Sequence, residues 1–511
     1  MTTRNFRRQG PRIIPVVFCG MLLLLAGCAV GPDYEIPELE TVPDAWQNAA
    51  AADVADSSSI LKEWWTAFGD TLLDTLMVRA QVANLDAAQA IGRIREARAY
   101  HQIAGGDYYP QIGLDGSWTR TEIGENTPLG PIAGIGGGNP SNNWEFGLGA
   151  SWEIDVFGRI RRTREATGAR VQASIEDYRD VMVSLQAEVA VTYVDVRTTQ
   201  LRLIFAQDNV DSQRETMDIV TAREDAGLVP LLDVTRARSN LANTEAAIPL
   251  LEMGLEVSLN RMAILLGQAP GSVDSLLVSY MEPPQPDLDM TMSLPAELLR
   301  RRPDVRRSER ELAAQTAMIG VATADLYPSF SLSGIMTLQA SEFGDLGKSG
   351  HFGWSLVPGL KWDLFSGGKI RGKIKAEEAK TEQLLAGYEK TVLNALAEVE
   401  NTLVALKQED IRRGLLQIAV DSSQQSVELV HTQYVEGLTD FQSYLDAQRV
   451  LFEQQDSYAS SRGQVFANIV NLNRALGGGW SLDDLDPDIP GEEVEDTVAA
   501  NDGGDEEEEV D

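Results

Sequence analysis

The chain of 511 residues is poor in the groups that most chemistry needs. It has two cysteines and three histidines. His101, His351 and His431 lie far apart, which leaves little material for histidine-based metal binding or acid–base work. No glycine-rich loop is followed by Lys-Ser or Lys-Thr, the arrangement that cradles nucleotide phosphates. No grouping of nucleophile, base and orienting acid stands out, which argues against an enzyme. Positive charge is scarce as well. The 43 Lys and Arg are outnumbered by 77 Asp and Glu, and a formal net charge of −34 does not suit nucleic acid. Both thiols, Cys19 and Cys28, fall near the start, so the rest of the chain holds no disulfide.

What precedes Cys28 has the layout of an export signal. Arg4, Arg7, Arg8 and Arg12 form a basic start, and an apolar stretch over 13–25 follows. That stretch is short for a membrane span and is interrupted by Pro15. It closes on Leu25-Ala26-Gly27-Cys28, which resembles a bacterial lipobox. The resemblance implies a signal peptide over 1–27, loss of Cys19, a covalent lipid on Cys28 and a lipidated linker over 28–59. Ala29 rather than aspartate after the cysteine implies the outer membrane. A tight apolar turn with a chance cysteine is the plainer alternative.

The remainder repeats itself. Trp152-Glu153 returns as Trp362-Asp363, Gly158-Arg159-Ile160-Arg161 as Gly368-Lys369-Ile370-Arg371, Gly227-Leu228 as Gly437-Leu438, and Leu266-Gly267 as Leu476-Gly477. All four pairs share one offset, 210 residues, with no insertion. The pattern implies a pseudo-symmetric protomer with repeats over 60–270 and 295–480, joined by a Pro- and Asp-rich waist over 271–294.

Each repeat opens with a helical stretch, 72–105 or 295–326. After Gly158 and Gly368 proline is missing for a long way. Residues 159–226 and 369–436 therefore read as helices about 100 Å long at 1.5 Å per residue. Stepping alternately by three and four from Ile175 meets Tyr178, Met182, Leu185, Val189, Thr192 and Val196. The same steps from Leu385 meet Tyr388, Val392, Ala395 and Val399. A sustained period of 3.5 calls for a partner helix along the whole length. An ordinary bundle core explains the stripe but not the length. Return helices are expected over 231–266 and 441–476. One of these and one opening helix, stacked end to end, would cover one long helix.

Four segments alternate with period two: about 110–120, 143–157, 328–340 and 351–365. Ile112, Leu114 and Trp118 fall on one face, against Gln111, Asp115, Ser117 and Thr119. Phe352, Trp354, Leu356 and Leu360 oppose His351, Ser355 and Lys361. Each segment has the ~9–11 residues a tilted bilayer strand needs, with charge on one face and tryptophans toward the ends. Four strands cannot close a membrane barrel, and an open edge in lipid is prohibitive. Such a barrel must be shared between chains. A soluble half-buried sheet under helices is the alternative.

These features together resemble the outer-membrane factor (TolC-like) family, in the lipoprotein branch that serves resistance–nodulation–division efflux systems. Cys28-Ala29-Val30-Gly31-Pro32-Asp33-Tyr34 matches the branch's mature start, and Leu294-Pro295-Ala296-Glu297-Leu298-Leu299-Arg300-Arg301-Arg302-Pro303-Asp304-Val305 its most specific signature. Gly320-Val321-Ala322 and Tyr327-Pro328-Ser329 follow as expected. The resemblance implies a mixed fold: a membrane β-barrel plus an all-α coiled-coil tunnel. Each internally duplicated protomer would give four strands and six main helices, and the homotrimer one 12-stranded barrel. It implies passive conduction of drugs, metals or similar small solutes. It also implies three partners: a periplasmic adaptor, an inner-membrane resistance–nodulation–division pump and outer-membrane lipid. The only cofactor would be the lipid on Cys28. An outer-membrane duct of type I secretion is the second reading, and a non-conducting coiled-coil lipoprotein the third.

The resemblance further implies that the helix tips form the narrow periplasmic end. Gly227, Leu228, Gly437 and Leu438 would face the adaptor, although turn chemistry alone accounts for the two glycines. Asp446, with Gln442 one turn before it, would line a constriction ring that favours cations. Asp233 and Tyr434 match a closed-state latch. Thr439 and Ser443 depart from the family pattern, which leaves one acidic ring instead of two. The last segment, 481–511, holds 15 acidic residues and no Lys or Arg, and reads as solvated, disordered chain. Binding of divalent cations or a basic partner is its alternative role.

Overall fold

The computed structural model describes residues 29–37, 62–122, 140–280 and 301–480. The signal segment, Cys28, most of the linker, much of the waist, the first part of the signature at 294–300 and the acidic tail lie outside these residues.

Period-two alternation yields β1 (Gln111–Thr121), β2 (Ser141–Ile154), β3 (Ser329–Ala340) and β4 (Phe352–Lys361). They form one antiparallel sheet in the order β1-β2-β3-β4. The register shows why the pattern matters. Leu114, Leu148, Met336 and Trp354 stand abreast across all four strands, while Asp115, Gly147, Thr337 and Gly353 form the adjacent row on the other face. The apolar rows are uncovered in the protomer: Leu114 is 75% exposed and Trp354 70%. A patch of this extent needs an apolar environment. β2 and β4 end earlier than their alternation suggests, at Ile154 and Lys361. Beyond β4, Trp362 Nε1 donates to Leu326 O at 3.0 Å. Trp152 Nε1, its counterpart in β2, donates to Tyr108 O at 2.9 Å. Each indole ties a strand end to the corner between helix and strand.

The helices are α1 (Thr71–Ala83), α2 (Leu85–Gly106), α3 (Arg159–Asp225), α4 (Leu231–Glu245), α5 (Ile248–Leu265), the single turn α6 (Asp274–Leu277), α7 (Pro303–Ala324), α8 (Lys369–Val435) and α9 (Phe441–Ala475). α3 and α8 each run 67 residues without a break. Two stretches expected as single helices are divided. Between α1 and α2, Asn84 adopts an extended conformation. Its Oδ1 accepts from the backbone N–H of Asp86 and Ala87, at 2.8 and 3.1 Å, and so substitutes for the missing helical carbonyls. Between α4 and α5 the cause is Pro249, which lacks a donor and clashes with the preceding turn. Its counterpart in the second repeat is Ala459, and α9 is continuous over 35 residues.

The chain divides into two compact units that do not follow the repeats. One comprises Met1–Gln47, Arg93–Asp177 and Pro295–Asn401; the other Asn48–Gly92, Tyr178–Leu294 and Thr402–Asp511. The first contains the sheet. Charge pairs knit it together: Arg306 Nε to Glu176 at 2.8 Å, Arg307 to Asp177 at 2.7 Å, and Arg302 to both Asp304 and Glu398 at 2.9 Å. In the second unit, Leu185, Val189, Thr192 and Val196 of the expected stripe are buried. Here Arg197, fully buried, donates to Gln200 Oε1 at 2.8 Å and to Ser279 O at 2.6 Å, pinning the segment after α6. Tyr193 donates to Asp70, the N-cap of α1.

Candidate functional site at the helix tips

The two long helices end alike, as duplication requires. Gly227 and Gly437 adopt φ of +73° and +75°. Gly227 N–H donates to Glu224 O and Leu228 N–H to Arg223 O, both at 2.8 Å; Gly437 and Leu438 do the same to Tyr434 O and Gln433 O at 3.0 and 2.8 Å. This paired closure satisfies carbonyls that the helix end leaves open, and it reverses the chain. The following helices start differently. Pro230 stands before α4, whereas the Asp440 side chain caps α9 by accepting from Ser443 N at 2.8 Å. The Ser443 backbone N–H, helped by its hydroxyl, holds the Asp440 carboxyl below the usual carboxylate range. Leu228 and Leu438 project into solvent, as do Leu231 and Leu232 beside the first tip.

Behind the turns the two hairpins share a core of Val220, Val234, Ala237, Tyr434, Phe441, Tyr444 and Leu445. The Tyr434 ring lies 5.2 Å from Phe441 and is parallel to Tyr444 at 6.1 Å. The Arg223 guanidinium sits 5.0 Å over it. Burial pushes the Tyr434 hydroxyl upward; Arg223 opposes that and the Asp233 charge adds to it. Asp233 and Tyr434 are thus brought together within one protomer. The Asp233 carboxylate also faces Arg236 Nη1 at 3.9 Å.

A polar ladder continues from this core along α3 and α9. Gln448 Nε2 donates to Thr216 Oγ1 at 3.2 Å and to the Tyr444 hydroxyl at 3.0 Å. Asn209 donates to Gln455 at 2.8 Å, and Arg202 grips Asp456 through two bonds of 2.6 and 3.1 Å. Positions 202, 209 and 216 are seven apart, the spacing at which polar contacts fix helix register.

Asp446 lies away from this core, with its side chain half exposed. Gln442 Nε2 donates to its Oδ1 at 3.1 Å. On the other side Arg449 Nη2 approaches the same oxygen at 3.4 Å. The structure therefore brings Asp446 and Gln442 together and adds a cation that the reading of an acidic ring omitted. The i,i+3 spacing of Arg449 was the available signal. Arg223 was also missed: its partner is 211 residues away in sequence, and nothing local marks the pair.

With this geometry established, the chain can be set beside known proteins. The family model described as outer membrane efflux protein matches residues 76–268 and 294–478. Nodulation protein T of Rhizobium leguminosarum bv. trifolii is 33% identical over 463 residues, covering 90% of this chain and 96% of that protein. The pyoverdine export outer membrane protein OpmQ of Pseudomonas putida is 31% identical, covering 86% and 93%. Among solved structures, the outer-membrane channel OprN superposes with a TM-score of 0.81 at 34% identity, covering 89% of this chain and all of that one. The sheet and long helices are those of the TolC-like channel fold, and the family is one of channels, not enzymes. The chain belongs to the outer membrane efflux protein family.

Proposed function

We propose that three copies of this chain assemble into the outer-membrane duct of a tripartite efflux pump. They would sit in the outer membrane, lipidated on Cys28, with the helix tips turned to a periplasmic adaptor and through it to an inner-membrane resistance–nodulation–division pump. One observation carries the reading. Among the described residues, the four-stranded sheet leaves β1 and β4 without a second partner strand, and its apolar rows lie uncovered. In lipid each unpaired backbone group costs several kcal/mol, so the edges must meet those of other copies. Three copies give twelve strands, an even number within the range of membrane barrels.

In this reading Leu228 and Leu438, held forward by Gly227 and Gly437, meet apolar positions on the adaptor. Asp446 and Gln442 line the narrow end, and Asp233 with Tyr434 forms the closed-state latch. Conduction is passive, and discrimination between solutes belongs to the pump. The signal peptide over 1–27 is removed and residue 28 carries the lipid. The test is the mass of the purified protein in detergent together with planar-bilayer recording. A trimer with discrete conductance is expected. A stable monomer, or a trimer that passes no current, would remove the duct from consideration.

A further inference from the structure

Two sequence motifs nearly 290 residues apart meet in the sheet-containing unit. They are the segment that follows Cys28 and the Gly320 region of α7. Val30 N–H donates to Phe157 O at 3.2 Å, where Phe157 stacks on Tyr327 with ring centres 4.7 Å apart. Arg162, whose side chain is only 5% exposed, sends Nε to Val30 O at 3.2 Å and Nη2 to Gly31 O at 3.3 Å and Asp33 Oδ1 at 2.7 Å. Its Nη1 goes to Glu165 at 2.8 Å. Farther along, the Tyr34 hydroxyl donates to Glu309 Oε1 at 2.7 Å, and Arg310 lies 5.8 Å over the Tyr34 ring.

Glycines make the fit possible. A Cβ on Gly31, whose φ is +95°, would stand 2.4 Å from Gly320 Cα. A Cβ on Gly320 would meet Val30 O at 2.9 Å and Arg162 Cγ at 2.8 Å. A Cβ on Gly158 would meet Ala29 at 2.7 Å. Backbone thus lies directly on backbone. Gly320 is a mid-helix residue and costs about 1 kcal/mol there against alanine on propensity alone, so α7 carries an intrinsic penalty at the contact. A buried guanidinium that lost its three strap acceptors would keep a single partner, which is costly.

We propose that Gly158, Arg162 and Gly320 form a peptide-binding slot whose ligand is this chain's own residues 29–34. By filling the slot, the segment locks α7 onto the start of α3 and seats Ala29 and Val30 against Gly158 and Phe157, just beyond β2. Its meaning for the lipid anchor rests on the lipidation reading, because the slot begins one residue after Cys28. The slot and its peptide do not depend on that reading.

The test uses the full-length protein in detergent, read by amide hydrogen exchange over 158–165 and 316–324, with radiolabelled palmitate incorporation measured separately. Replacing residues 30–34 by a Gly-Ser segment of equal length should speed exchange in both stretches at least tenfold, and adding a synthetic peptide of residues 29–37 should restore protection. Cys28→Ser should abolish palmitate incorporation while leaving exchange unchanged, so failure of the anchor and failure of the slot are told apart. Gly320→Ala supplies a second test. It should speed exchange more when residues 30–34 are native than when they are replaced, because the clash with Val30 O leaves with the segment while that with Arg162 Cγ stays. An equal effect in both backgrounds, or full protection without the segment, would overturn the proposal.

Discussion

Charge beside the helix tips gives the sharpest prediction, because Asp446 and Arg449 lie on one exposed helix face with 3.4 Å between Oδ1 and Nη2. In the proposed trimer they make a ring of three negative charges next to a ring of three positive ones. In water, one unit charge about 8 Å from a permeating ion contributes about 0.5 kcal/mol, reduced to about 0.2 kcal/mol by screening at physiological salt. Three copies give about 0.6 kcal/mol, a two- to threefold change in local cation occupancy. Intact, the two rings largely cancel and selectivity is weak. Asp446→Ala leaves the arginines and should shift selectivity toward anions by that factor; Arg449→Ala leaves the carboxylates and should shift it toward cations. The assay is the reversal potential in a planar bilayer under a salt gradient, repeated at high salt, where both shifts should shrink. Shifts of the same sign for both variants, or none in either, would show that this face does not line the conduction path.

Three other outcomes follow from the tips and the core. Tyr434→Ala removes a buried ring, a change that costs about 3–5 kcal/mol in typical cores, and should raise open probability; Tyr434→Phe, which keeps the ring but loses the hydroxyl facing Asp233, should raise it less, as single-channel recording would reveal. Leu228→Asp together with Leu438→Asp should abolish cross-linking to the adaptor without altering conductance, because both side chains lie outside the tip core. The Tyr193 hydroxyl is pushed up to about 12 by burial and by its bond to Asp70. A raised value favours the neutral phenol in the folded protein, so this stabilisation is complete below about pH 10 and is lost as pH climbs through about 12; it amounts to about 3 kcal/mol. Alkaline unfolding followed by circular dichroism should start at lower pH in wild type than in Tyr193→Phe; coincident curves would refute the assignment.

The sequence by itself determined the elements whose causes are local. Alternation located four strands, lack of proline and a 3.5 period located two helices of 67 residues, and glycine at 227 and 437 located the reversals. It misjudged two helices where the deciding event was a side chain replacing backbone, as at Asn84, or a proline whose effect was overlooked, as at Pro249. It also named Gly31 and Gly320 without a reason for either. Only the tertiary structure decided that these two glycines touch, that Arg223 covers Tyr434, and that both compact units draw on both repeats. The physical reason is range. Periodicity and capping act within a turn or two of chain, whereas backbone-on-backbone contact and ring stacking between residues hundreds of positions apart leave no periodic trace in a single sequence.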